Sequence, residues 1–95
     1  MNTVRLKIKD VTYAELARVL KDLKFVDKSS KDTFRFEQED SGMHVLLPAG
    51  EKEEFVQRAY FAAITFQLEW RGLIAYRDQL GEMIESNRVA VRNER

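Results

Sequence analysis

The segment Asp32 to Pro48, DTFRFEQEDSGMHVLLP, constrains the fold more tightly than any other part of the chain. Two alternating runs flank Glu39-Asp40-Ser41-Gly42, a pattern that predicts an antiparallel hairpin closed by a four-residue turn. With that turn, Gln38 faces Met43, Phe36 faces Val45 and Phe34 faces Leu47. Phe34, Phe36, Met43, Val45 and Leu47 then share one side, and Thr33, Arg35, Glu37, His44 and Leu46 the other. Because side chains alternate with a period of two, a slip of one residue would expose both phenylalanines, so the register is specified.

The preceding segment predicts a helix with clear punctuation. Thr12 and Glu15 have capping-box spacing, and Val11 and Leu16 occupy the staple positions around them. Leu16, Val19, Leu20 and Leu23 recur at helical spacing and form one core-facing stripe that ends near Lys24. Earlier still, Thr3 to Lys9 alternates Val4, Leu6 and Ile8 with charged residues, as an edge strand does. Asp27 to Lys31 reads as a polar loop.

Beyond Pro48-Ala49-Gly50, a second helix is expected from Glu51 to about Trp70, its acidic start suiting the positive end of a helix dipole. Phe55, Tyr60, Phe61, Phe66 and Trp70, with the alanines and aliphatics between them, cover nearly its whole circumference. A helix apolar all round must be covered on more than one side, by another element or a second copy of the chain. Gly72 suits its C-terminal end, and a shorter helix should follow over about Tyr76 to Glu85. Residues 86–95 read as a weakly ordered arm. The expected fold is thus α+β: one domain over 1–85, with a small three-stranded antiparallel sheet, helices on one face, and an extra C-terminal helix.

Composition excludes several classes of function. Ninety-five residues suit one domain, burying roughly 60–65% of the unfolded chain's surface. With no cysteine, disulfides and thiolate metal sites are ruled out. One histidine leaves only carboxylates as further metal ligands, and Glu51, Glu53 and Glu54 are accounted for as a helix start, so neither metal nor cofactor is expected. There is no long apolar run, and the N-terminus lacks the apolar stretch of a signal peptide, so a cytoplasmic protein without membrane contact is the expectation.

Net charge is zero but unevenly spread: residues 1–31 hold eight Lys/Arg against four Asp/Glu, and residues 32–54 two against seven. Lys7, Lys9, Arg18, Lys21, Lys24, Lys28 and Lys31 are the candidate RNA-binding residues, because neutralising phosphates supplies most nucleic-acid affinity. The simpler reading is that these residues are solvated faces.

His44 is the one side chain that titrates near neutral pH. The hairpin register sets it opposite Glu37 and beside Arg35, a cluster with the parts to act on a phosphodiester, His44 as base and Arg35 steadying charge. The simpler reading is a cross-strand ladder of charges and hydrogen bonds.

TYAELARVLKDLKFV followed by TFRFEQEDSGMHVLLP resembles the HicA toxins, small mRNA-cleaving members of toxin–antitoxin pairs. Glu15, Leu16, Leu20, Leu23 and Phe25 match that family's helix. Phe36, the Asp40-Ser41-Gly42 turn and Leu47-Pro48 match its hairpin, so the resemblance spans residues 12–48. It implies a fold like the double-stranded-RNA-binding domain and a link to RNA. Two departures stand out. The glycine of the family's Leu-Gly-Phe is Lys24, and the catalytic histidine falls on Thr33 or Phe34, neither of which takes a proton at neutral pH. The resemblance therefore implies a HicA-like, catalytically degenerate protein that binds RNA or an antitoxin-like protein partner. The alternative is a homodimer of structural or regulatory role built on the long apolar helix, with Phe55, Tyr60, Phe61, Phe66 and Trp70 at its interface. An active ribonuclease using His44, Glu37 and Arg35 is a third reading.

Overall fold

The computed structural model of the chain describes residues 10–93, with side chains through residue 90. The elements run α1 (Tyr13–Asp22), β1 (Val26–Asp27), β2 (Thr33–Gln38), β3 (Met43–Pro48), α2 (Arg58–Trp70) and α3 (Asp78–Asn93). The strands form one antiparallel sheet in the order β1-β2-β3, and the fold is α+β. No described helix is long and apolar enough to cross a membrane.

The hairpin has the register that its sequence requires: Phe34 pairs with Leu47, Phe36 with Val45, Glu37 with His44 and Gln38 with Met43. Phe34, Phe36, Met43, Val45 and Leu47 are buried in a single core with Leu16, Val19 and Leu20 of α1, Ile64 and Leu68 of α2, and Leu80 and Ile84 of α3. The opposite face, with Arg35, His44 and Leu46, is open to solvent.

The third described strand is the two-residue β1, which follows the end of α1. The strand expected over Thr3 to Lys9 lies outside the described residues, together with Lys7 and Lys9.

α1 starts as its sequence predicts. The Thr12 hydroxyl accepts from the Glu15 N–H at 3.2 Å, and the Glu15 carboxylate accepts from the Thr12 N–H at 3.0 Å. The next donors are met from far along the chain: the Tyr13 N–H bonds the Glu54 carbonyl at 3.0 Å and the Ala14 N–H bonds the Lys52 carbonyl at 3.1 Å. This corrects the expected second helix. Residues 51–57 are not helical, because their backbone caps α1, bridges Thr12 to Phe55 and bonds Val11 through Val56. The glutamates there do not open a helix, and α2 begins at Arg58 without a side-chain cap.

α1 and α2 end in the same way. In each, the sixth residue of the terminal turn donates back to the first: Phe25 N–H to the Leu20 carbonyl, and Leu73 N–H to the Leu68 carbonyl, both at 2.9 Å. This Schellman geometry needs a left-handed residue just past the helix. In α2 it is Gly72 with φ 77°, and in α1 it is Lys24 with φ 74°.

α3 is longer than its sequence predicts, continuing from Asp78 to Asn93 through the segment expected to be a loose arm. Arg88 anchors that extension. Its guanidinium donates to both Glu15 carboxylate oxygens, from Nη2 to Oε1 at 2.9 Å, and also to the Asp10 carbonyl and to Glu85. α3 therefore packs on α1 of its own chain.

Candidate functional site

Two surfaces of the described chain hold the residues singled out from sequence. The first is the outer face of the hairpin. Glu37 accepts from Arg35 Nε at 2.7 Å, and its Oε2 lies 3.4 Å from His44 Nδ1. The Arg35 guanidinium holds the Glu37 carboxyl below the usual carboxylate range. The register thus unites the three residues as predicted, but on an open face with more than half of the His44 side chain in solvent. No described residue shields a reacting group from water here, and Arg35 is committed to Glu37. The arrangement is that of a cross-strand ladder. Of the two positions where the resemblance would place a histidine, Phe34 is buried in the core and Thr33 opens β2 opposite Pro48.

The second surface is a groove between α1 and the sheet edge. Tyr13, Phe34 and Phe36 form part of its lining, Ala14, Ala17 and Gly50 keep it shallow-walled, and Arg18, Lys21 and Lys52 stand around it. Its volume of about 470 Å³ lies within the range of ligand-sized clefts. The Tyr13 phenol donates to the Pro48 carbonyl at 3.0 Å, and burial raises its pKa, so it is a neutral part of the lining. Asp27 is the one carboxylate in the lining, held below its usual range by Ser29 first, with Lys21 adding to the effect. Three cations thus oppose one anion. Arg18, Lys21 and Lys52 form no salt bridge among the described residues.

The groove gathers only part of the predicted basic set. Arg18 and Lys21 line it, exposed Lys24 follows at the end of α1, and Lys28 lies instead beside Glu37 and His44 on the outer face of the sheet. Lys31 is exposed in the loop before β2. Sequence reasoning missed Lys52 because it sits among glutamates in a segment with a helix-start pattern. Its place at the groove follows from residues 52–56 capping α1, which no local signal announces.

The predicted interface residues divide into two groups. Tyr60 and Phe61 are half-buried against their own core, whereas Phe55, Phe66 and Trp70 are 58%, 55% and 74% exposed.

No protein-family model matches this chain, and no curated protein or solved structure is detectably similar to it.

Proposed function

We propose that this chain is a small RNA-binding domain without chemistry of its own, and that the groove beside α1 is where it holds the phosphate backbone. The observation that carries this reading is the trio Arg18, Lys21 and Lys52, uncommitted to any carboxylate among the described residues and set around an apolar floor. Cations free of internal partners release counterions when they meet phosphate, and that release supplies most of the affinity. The element order α1-β1-β2-β3-α2 agrees with the order that the HicA resemblance implies.

Lys24 adds to the same reading. A left-handed conformation costs a non-glycine residue about 1–2 kcal/mol, and the matching turn of α2 uses glycine for it. Strain retained at one position directs attention to what its side chain does. Lys24 adds a cation at the end of the helix that bears Arg18 and Lys21.

The test is fluorescence anisotropy with a labelled RNA duplex at two salt concentrations. Arg18→Glu with Lys21→Glu should weaken binding at least tenfold and flatten its salt dependence by about two in slope, one for each phosphate no longer neutralised. Bound RNA should be recovered uncut. Wild-type affinity in the double variant would remove the groove from consideration, and cleavage that disappears in His44→Ala would restore the catalytic reading. Lys24→Gly separates the two roles of that residue: it should stabilise the fold by about 0.5–1 kcal/mol, once the entropy of glycine is set against the relieved strain, yet weaken RNA binding. Unchanged stability with unchanged affinity would refute both parts.

A further inference from the structure

α2 has two apolar faces, and only one of them is buried among the described residues. Ile64 and Leu68 enter the core, while Ala59, Ala62, Ala63, Phe66 and Trp70 are exposed on the other side. At 100° per residue, these five fall within about 100° of arc, one continuous stripe. Size is distributed unevenly along it: the N-terminal half offers only alanines, and the C-terminal half carries the two large aromatics.

We propose that a second copy of this chain covers the stripe, with its α2 running antiparallel about a two-fold axis. Only that orientation sets large against small. Phe66 and Trp70 of each copy lie over the alanines of the other, whereas a parallel pair would set tryptophan on tryptophan and leave the alanines facing a gap. It also opposes the two helix dipoles. A two-fold interface must be complementary to itself, and a stripe graded in size meets that requirement in one direction alone. Thirteen residues give a helix of about 20 Å, a short contact, so the association should be micromolar. The inference is independent of RNA binding, since the groove lies on α1.

The chain supplies its own probe, because Trp70 is its single tryptophan. In sedimentation equilibrium, the mass should rise from monomer to dimer over micromolar concentrations, and the emission of Trp70 should move to the blue over the same range. Phe66→Glu should raise the dimer Kd at least about 30-fold, as removal of a central aromatic anchor does, with the circular dichroism of the folded chain unchanged. Orientation is read by disulfide formation, which the absence of native cysteine makes clean. If Ala59 lies opposite Trp70, the two Ala63 residues meet near the axis, while the two Ala59 residues are about 16 Å apart along the helix, too far for a disulfide. Ala63→Cys should therefore cross-link on mild oxidation and Ala59→Cys should not. Cross-linking through Ala59→Cys would overturn the antiparallel arrangement. A monomer at every concentration, or a dimer untouched by Phe66→Glu, would overturn the interface itself. Quenching of Trp70 by single-stranded RNA in a persistent monomer would do the same, reassigning the stripe to base stacking.

Discussion

Replacing Phe36 by alanine should cost about 3–5 kcal/mol, as expected for a fully buried phenylalanine. The side chain is 1% exposed and stacks at 4.8 Å on Phe34, where β2 meets the helices. A domain of this size has a total stability of about 5–12 kcal/mol, so the variant should lie close to its unfolding midpoint at room temperature. Phe34→Ala makes the informative comparison. Phe34 is on the same strand, also borders the groove and meets Tyr13 edge-on at 5.2 Å, but it is 8% exposed against 1% for Phe36, so water more readily fills the space it leaves. Its removal should cost less. Urea titration followed by far-ultraviolet circular dichroism decides this, since exposed Trp70 is a poor reporter of the core. Equal costs for the two variants, or a cost for Phe36→Ala below about 1.5 kcal/mol, would mean that the core is more plastic than its packing indicates.

The second large effect centres on Glu15, which has two duties. Its carboxylate completes the capping box of α1, and it receives the Arg88 guanidinium that holds α3. Loss of a helix cap costs about 1 kcal/mol, and a charge-assisted bond adds about 1–2 kcal/mol after allowance for its partial exposure. Glu15→Ala should therefore destabilise the domain by about 2–3 kcal/mol. Glu15→Gln keeps an acceptor for the cap and removes the charge, and should retain about half of that stability. The pH dependence carries its own sign. The hydrogen bond from Arg88 chiefly, with help from Thr12 and against the opposing effect of burial, lowers the pKa of Glu15 below its ordinary value. A depressed carboxylate stabilises the folded state fully above the ordinary glutamate pKa of about 4.3, and the contribution is lost as pH falls through the lower folded value. Wild type should lose stability relative to Glu15→Gln across that acidic window, and the two curves should converge at its bottom. A constant difference down to pH 2 would remove the ionised Glu15 from the account.

The hairpin was legible because two independent signals agree on it. The period of two assigns faces, and the Glu39–Gly42 turn assigns pairs, so the contact of His44 with Glu37 followed from pattern alone. The capping box was legible for a similar reason, since both partners lie within one turn. What escaped depends on distance along the chain. Three glutamates ahead of an apolar run have the pattern of a helix start, and only the arrival of α1 diverts residues 51–57 to another use. β1 has two residues, too few to show a period. The contact of Arg88 with Glu15 spans 73 positions, so no nearby residue announces what holds the chain after Glu85. At the groove, Arg18 and Lys21 were visible as basic residues on a helix, but Lys52 was hidden by its acidic neighbours.

The amides of Tyr13 and Ala14, which bond Glu54 and Lys52, carry a consequence for the order in which this molecule is assembled. A nascent chain that has produced α1 and the hairpin still lacks the acceptors for the start of its first helix, some forty residues away. The first turn of α1 is completed together with the segment after β3, which ties early and late parts of the chain into one cooperative transition. Those amides exchange only when that segment parts from the helix, so their protection should report the docking of residues 52–54 onto α1.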